Sequence, residues 1–426
     1  MNNYGGIIVK QHLPFFIGKD AISYFLDFCR KNHYNHFQLV ADQNTYNALG
    51  NQVESALKSN GFDVRTILLK GKEIIADENY LMKVFLQLDN QERVFLAVGS
   101  GTITDITRFT SHRTRNIFIS LPTAPSVDGF TSIGAPLVIG GLKQTYICQS
   151  PTALFGDIST LINAPKPLIA AGLGDLLGKL LSAADFKLGH ILFDEPFDNE
   201  IYERTRNTAL TCVENLSKIR GGDEDGIKLL MEGLIESGFC MLDFGNSNPA
   251  SGAEHHISHF WEMKLLREGR PAVLHGAKVG VASIISARWY EQLNNITKKQ
   301  VKRLLENKIM PDPNKIEAQL KRVFGSISEQ IINEQRMFIR MSEEEFFTLK
   351  EKVVSNWDLI QDIARQLPPS ETIERWLKEN NAPITGFDLG LSEKEILLGI
   401  KYGHYLRKRF TINKLRLLLN IPDIVK

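Results

Sequence analysis

RVFLAVGS (93–100) runs straight into GTITDITRFTSHR (101–113): an apolar stretch ends at a glycine turn and a helical segment begins. The same order recurs on both sides. FQLVAD (37–42) precedes TYNALGNQVESALKS (45–59), VRTILL (64–69) precedes DENYLMKVFLQLD (77–89), and NIFISLPT (116–123) follows the central pair. Strand and helix in alternation predict a parallel sheet flanked by helices, with ligands at the carboxyl ends of the strands. APLVIGGLKQTYIC (135–148) then reads as a hairpin with Gly140-Gly141 at its tip, and ALFGD (153–157) as a closing strand. From about residue 158 the apolar period changes to that of a helix, in PLIAAGLGDLLGKLLSAADFKLG (167–189), GIKLLMEGLIESGFCML (226–242) and KEILLGIKYGHYLRKRF (394–410). The expected architecture is an α/β dinucleotide-binding domain over 1–157 and an all-α domain over 158–426.

The bulk numbers narrow the function. The 426 residues suit two domains. A formal net charge of +1 gives no electrostatic case for nucleic acid or an anionic membrane. No apolar run of spanning length stands out, and MNNYGGIIVKQHLPFF shows no basic segment leading into an apolar one, so neither membrane span nor signal peptide is expected. Cys29, Cys148, Cys212 and Cys240 are scattered, which suits reduced thiols in a cytoplasmic protein.

Polar residues collect where the strands are predicted to end. Asp42 closes FQLVAD and is either an acceptor for a ribose diol or the cap of the next helix. Gly99, Ser100, Gly101 and Thr102 form a strand-to-helix turn of the kind whose amides meet a pyrophosphate. Asp105 reads as a brace for that helix's first turn. In LPTAPSVDGFTS (121–132), Asp128 is an acid beside small residues where a polar ligand has room. Downstream, NSNPASGAEHHISHFWEMKLLREGRPAVLHGAKVGVA (246–282) holds four of the ten histidines. His255 and His259 share a helix face, and His275 opens the next apolar segment. They are either a wet, imidazole-rich face or two arms of a metal site. Asp175, set among apolar residues, needs a partner such as a metal or Lys179, because a lone buried carboxylate is costly. One Asp and two His with a coordination position left over is the pattern of a catalytic metal.

VGSGTITDITRF, SLPTAPSVDGFTS, AGLGDLLGK, PASGAEHHISHFWEM and LHGAKVGV, in that order, resemble the glycerol-1-phosphate dehydrogenase family, in particular its bacterial branch. The tail NNAPITGFDLGLSEKEILLGIKYGHYLRKRFTINKL is similar to that branch's C-terminal extension. The resemblance implies a dehydroquinate synthase-like fold and NAD(P)H-dependent, metal-dependent reduction of dihydroxyacetone phosphate to sn-glycerol 1-phosphate. It also implies a cytoplasmic homodimer serving glycerolipid synthesis. By position it assigns Gly99, Ser100, Gly101, Thr102 and Ile103 to the coenzyme phosphates. Thr123, Ala124, Pro125, Ser126 and Ser132 fall to the nicotinamide half, Asp128 and His259 to the substrate, and Asp175, His255 and His275 to zinc or nickel. His256 lies outside the motif and is expected to pack or face solvent. Lys179 stands where iron-type relatives carry a fourth ligand; an ammonium cannot ligate, so it is expected to neutralise Asp175 or meet the substrate phosphate and not to snorkel at the surface. Asn248 occupies a place where the resemblance leads one to expect arginine, leaving the amides at the following helix start as the remaining anion contact. The rival readings are an unphosphorylated polyol or alcohol dehydrogenase, a dehydroquinate synthase-like cyclising lyase, and a non-catalytic binding relative.

Overall fold

The computed structural model describes residues 8–10, 13–140 and 142–423. Strands β1 (Ile8–Lys10), β2 (Leu13–Gly18), β3 (His36–Asp42), β4 (Asp63–Leu69), β5 (Val94–Gly99), β6 (Phe118–Pro122) and β9 (Ala153–Asp157) make one sheet, in the order β1-β2-β9-β6-β5-β3-β4. Six of these strands run parallel, and β1 pairs antiparallel with β2 at one edge. β7 (Gly134–Ile139) and β8 (Leu142–Ile147) form the expected separate hairpin. Gly140 turns there with φ +59°, a left-handed conformation that glycine adopts freely; its neighbour Gly141 lies outside the described residues.

Side-chain alternation along the strands sorts the core onto two faces. Leu96 and Val98 of β5 join Phe37 and Leu39 of β3 beneath Phe25 and Cys29 of the helix Ala21–Lys31 and Val53 and Leu57 of Asn51–Ser59. Phe95 and Ala97 point the other way, onto Tyr80, Leu81 and Val84 of the helix Glu78–Phe85 and Ile103 and Ile106 of Gly101–Arg113. β3 pairs with β4 on one side and β5 on the other, so the chain order reverses beside β3. A crevice therefore opens at the carboxyl ends of β3 and β5, and Asp42 and Gly99 flank it.

Among the described residues no strand follows Asp157. The chain forms two compact units, residues 1–176 with 211–245, and residues 177–210 with 246–426. The first gains the helix Glu224–Phe244, whose Ile227, Met231, Ile235 and Phe239 pack on Phe15, Phe130 and Leu154. In the second, the histidine helix (Ala253–Arg267) packs against the following helix (His275–Asn294), with Trp261, Trp289 and Tyr290 buried.

One expectation changes. The long helix Lys166–Phe193 spans 28 residues and is long and apolar enough to cross a membrane. Its most apolar stretch is 83% buried inside the protein, so protein supplies the apolar surroundings that composition alone would have assigned to lipid. Asp175, Lys179 and Asp185 interrupt the run in the sequence and conceal its length.

Candidate active site

In the first unit, Gly99 ends the buried strand β5 and, after Ser100, the next helix starts at Gly101. The first intrahelical bond runs from the Thr104 amide to the Ser100 carbonyl, 3.0 Å. The amides of Gly101, Thr102 and Ile103 therefore have no partner of that kind and point out of the helix start. The Ile103 side chain belongs to the core, so its amide is the part that can meet a phosphate. A Cβ on Gly99 would come within 2.6 Å of Ile103 Cβ, and one on Gly101 within 3.1 Å of Val127. The turn therefore has no room for a side chain at either glycine.

Thr123 donates its amide to the Gly99 carbonyl at 3.2 Å, tying the loop of Thr123, Ala124, Pro125 and Ser126 to this turn. The Ser132 hydroxyl closes on the Gly129 carbonyl at 3.2 Å. Asp42 is the helix cap: its carboxylate accepts the Thr45 amide at 2.9 Å, and its own amide donates to Thr45 Oγ1 at 3.0 Å. Asp128 is 8% exposed, its Oδ2 accepting the Ser237 hydroxyl at 2.9 Å. Its amide donates to Asp175 Oδ2 at 3.1 Å, so the predicted substrate acid and the predicted metal acid are neighbours.

Arg108 was not singled out by the sequence reading. Fully buried, it donates to the carbonyls of Gly129 (2.7 Å), Phe130 (3.0 Å) and Gly134 (2.8 Å), and pairs with Asp105 at 3.1 Å. Burial pulls its pKa below the usual guanidinium value against the opposing pull of Asp105. Asp105 thus braces Arg108, and Arg108 braces the loop that carries Asp128.

In the second unit the three predicted imidazoles converge. Ring centroids of His255 and His275 are 5.2 Å apart, His259 and His275 5.4 Å, and His255 and His259 6.1 Å. His255 Nδ1 lies 2.7 Å from Glu254 Oε1, an acceptor that holds the proton on Nδ1 and makes Nε2 the acceptor nitrogen of the ring. Glu254 is fully buried and also takes the Gly252 amide at 2.8 Å. Burial first, then the Glu254 charge, pushes the pKa of nearby Asp185 up to about 7. The ligand atoms of His259, Glu262 and His275 lie within 4.8 Å of one another, and Lys278 Nζ is 3.6 Å from Glu262.

Lys179 is completely buried, its ammonium donating to the Ala250 carbonyl at 3.0 Å and lying 3.5 Å from His255 Nε2. The long helix continues unbroken through 175–179, so Asp175 stands one turn before Lys179 on the same helix face. His256 packs: it is buried, with neither ring nitrogen hydrogen-bonded among the described residues. Burial, then the charges of Arg409, Lys414 and Arg407, hold its pKa well below the usual imidazole range.

The helix-start expectation narrows. The Gly252 and Ala253 amides are already accepted by Glu254 Oε1 and Asp185 Oδ2 at 2.8 and 2.7 Å, so any anion contact falls to the amides that follow them.

The family model for iron-containing alcohol dehydrogenase matches residues 16–165. The glycerol-1-phosphate dehydrogenase [NAD(P)+] of Halalkalibacterium halodurans is 41% identical over 330 residues, 73% of this chain and 83% of that protein. The chain belongs to the glycerol-1-phosphate dehydrogenase family. Its Bacillus subtilis relative of the same name is 34% identical over 411 residues, covering 95% of this chain and 92% of the relative. The relatives' name carries NAD(P)+, and this chain is such an oxidoreductase, with a nucleotide coenzyme and a small-molecule substrate. Solved structures share the dehydroquinate synthase-like fold at low identity. A glycerol dehydrogenase from Schizosaccharomyces pombe gives a TM-score of 0.60 at 17% identity, over 95% of this chain and 87% of the other. An alcohol dehydrogenase from Oenococcus oeni gives 0.60 at 13% identity, over 95% and 97%.

Proposed function

We propose that the enzyme reduces dihydroxyacetone phosphate to sn-glycerol 1-phosphate with NAD(P)H, and that Asp175, His255 and His275 hold the metal, zinc or nickel. The carrying observation is the name shared by relatives at 34–41% identity over 73–95% of the chain. One carboxylate and two imidazoles are a donor set that a divalent ion accepts, and the Glu254 contact to His255 is the outer partner such a ligand needs. When bound, the ion supplies Lewis acidity at the substrate oxygen that gains negative charge.

The protein's own groups do the rest. The amides at Gly101, Thr102 and Ile103 and the residues Gly99 and Ser100 take the coenzyme phosphates, while Thr123 to Ser126 and Ser132 border its nicotinamide half. Asp128, held by Ser237, accepts from a substrate hydroxyl and orients it. His259 faces the same space as His255 and His275 and passes a proton to the product oxygen. Lys179 adds positive charge beside Asp175 and the substrate phosphate. A homodimer, a cytoplasmic setting and a place in glycerolipid synthesis belong to the same reading.

One observation favours the unphosphorylated rival: with Asn248 in the loop and the Gly252 and Ala253 amides already taken, the helix start offers fewer contacts to a phosphate. Metal analysis followed by coenzyme oxidation with dihydroxyacetone phosphate and with dihydroxyacetone separates the readings. A phosphate-selective site gives an advantage in kcat/KM of about 10⁴-fold to the phosphorylated ketone, of the order that unpaired polar groups impose. Equal rates would make it a polyol dehydrogenase. Turnover without net coenzyme oxidation would indicate the cyclising lyase.

A further inference from the structure

Four successive carbonyls of the loop that delivers the histidine helix, those of residues 248–251, are held by side chains from two distant stretches. The long helix supplies Lys179 to the Ala250 carbonyl (3.0 Å), Ser182 to the Pro249 carbonyl (3.0 Å) and Asp185 to the Ala253 amide (2.7 Å). The remaining carbonyls, those of Asn248 and Ser251, both accept from Nη1 of Arg409. Arg409 lies near the end of the chain and is 2% exposed. Its neighbours are pinned to the long helix and its exit: the Phe410 amide donates to Glu195 and the Ile412 amide to Asp185 Oδ1 at 2.7 Å. Tyr290 donates its hydroxyl to the same Asp185 oxygen at 2.7 Å, from the helix that begins with His275. Asp185 therefore joins the first turn of the His255 helix, the His275 helix and the C-terminal segment.

The fit is tight. A Cβ on Gly252 would fall 2.6 Å from Asp185 Oδ2 and 2.7 Å from Glu254 Oε2. A small displacement of the 248–252 loop would carry Glu254 and His255 with it, because they are the next residues along the chain.

We propose that Arg409 is a positioning residue for the metal site: by holding the Asn248 and Ser251 carbonyls it fixes where the histidine helix begins, and so where His255 presents Nε2. The guanidinium absent at position 248 thus has a counterpart on the C-terminal segment, one whose hydrogen bonds go to main-chain carbonyls and whose Nε stands 3.9 Å from Glu195 Oε2. The inference rests on the assignment of His255 and His275 as ligands.

The test is zinc affinity, by competition with a chromophoric chelator, on the full-length protein and its R409A and R409K variants, with coenzyme affinity measured alongside. Groups that orient a metal ligand typically contribute 10- to 100-fold in affinity, so R409A should bind zinc about 10- to 100-fold more weakly. Its coenzyme dissociation constant should stay within about twofold, since the phosphate-binding turn belongs to the first unit. R409K, which can still donate to carbonyls, should recover most of the loss, and so should guanidinium ion added to R409A. Unchanged zinc affinity in R409A overturns the proposal. So does a folded R409A protein that has lost coenzyme as well as zinc, because that marks a general structural role. A wild-type protein that binds neither zinc nor nickel removes the ligand assignment itself. Should R409A fail to fold, hydrogen exchange on the wild type decides: linkage requires zinc to slow exchange at the 410–412 amides, and no change there refutes the strap.

Discussion

Asp128 has both its side chain and its amide committed, to Ser237 and Asp175, before any substrate arrives. The Asp128→Asn substitution should lower kcat/KM for the ketone by about 100-fold, the effect expected when a reacting group is misplaced, while the coenzyme dissociation constant stays nearly constant. Equal losses in both would place the loop on the coenzyme. Asp42 poses a different question, because its cap is visible and a ribose contact is the other reading of its place at the end of its strand. Asp42→Ala should cost about 1 kcal/mol of stability by loss of the cap. If the carboxylate also repels a 2′-phosphate, the variant's kcat/KM ratio of NADPH to NADH rises as well; a ratio that does not move leaves only the cap. At this scale the sequence was informative wherever local spacing carried the signal. His255 and His259 are one turn apart and converge with His275. Arg108 and Asp185 had no such signal. Apart from Asp105 one turn away, the partners of Arg108 are carbonyls 21 to 26 residues along the chain, and those of Asp185 lie as far as 227, distances at which local spacing carries no signal.

Elements were easier to read than their partners. The strand runs around Val94–Gly99 and the hairpin at Gly134–Ile147 are where alternation and turn residues predicted them, because side-chain direction in a strand is fixed locally. The full extent of Lys166–Phe193 was hidden by charges whose compensation is tertiary. Gly172 on that helix shows how two local effects oppose each other. Replacing it with alanine gains roughly 1 kcal/mol of helix propensity. The new Cβ, however, would sit 1.8 Å from the Pro125 carbonyl oxygen, a main-chain atom with little freedom. Overpacking of this kind costs roughly 1–3 kcal/mol or more, so Gly172→Ala should lower the urea midpoint; a rise would mean that the loop yields readily. His404, in the C-terminal helical region, supplies a pH test. Burial, then Lys414 and Arg416, hold its pKa well below the usual imidazole value. Below about pH 6.5 the unfolded chain binds a proton that the folded one refuses, so stability falls as pH falls, by about 1 kcal/mol per unit for one such group. His404→Gln should flatten the fall in denaturation midpoint between about pH 6.5 and 5.5; an unaltered slope would assign the effect to other groups.

For the molecule as a whole, the coenzyme turn and the imidazole cluster belong to different compact units, so their ligands should be separable. Dialysis against a chelator is expected to abolish turnover while coenzyme still binds, as followed by quenching of intrinsic fluorescence; loss of both would mean that the metal also organises the first unit. The long helix has a further consequence, one that concerns synthesis. Asp185 waits for the amide of Ile412, 227 residues downstream. At roughly 5–20 residues per second, a ribosome takes about 10 to 45 s to make that stretch. Throughout that interval an apolar, membrane-like segment has left the exit tunnel without its final cover. The nascent chain must therefore be shielded until its last few dozen residues emerge, and a chain stopped just before Arg409 should go to the chaperones and the pellet while one stopped just after Asp423 accumulates normally.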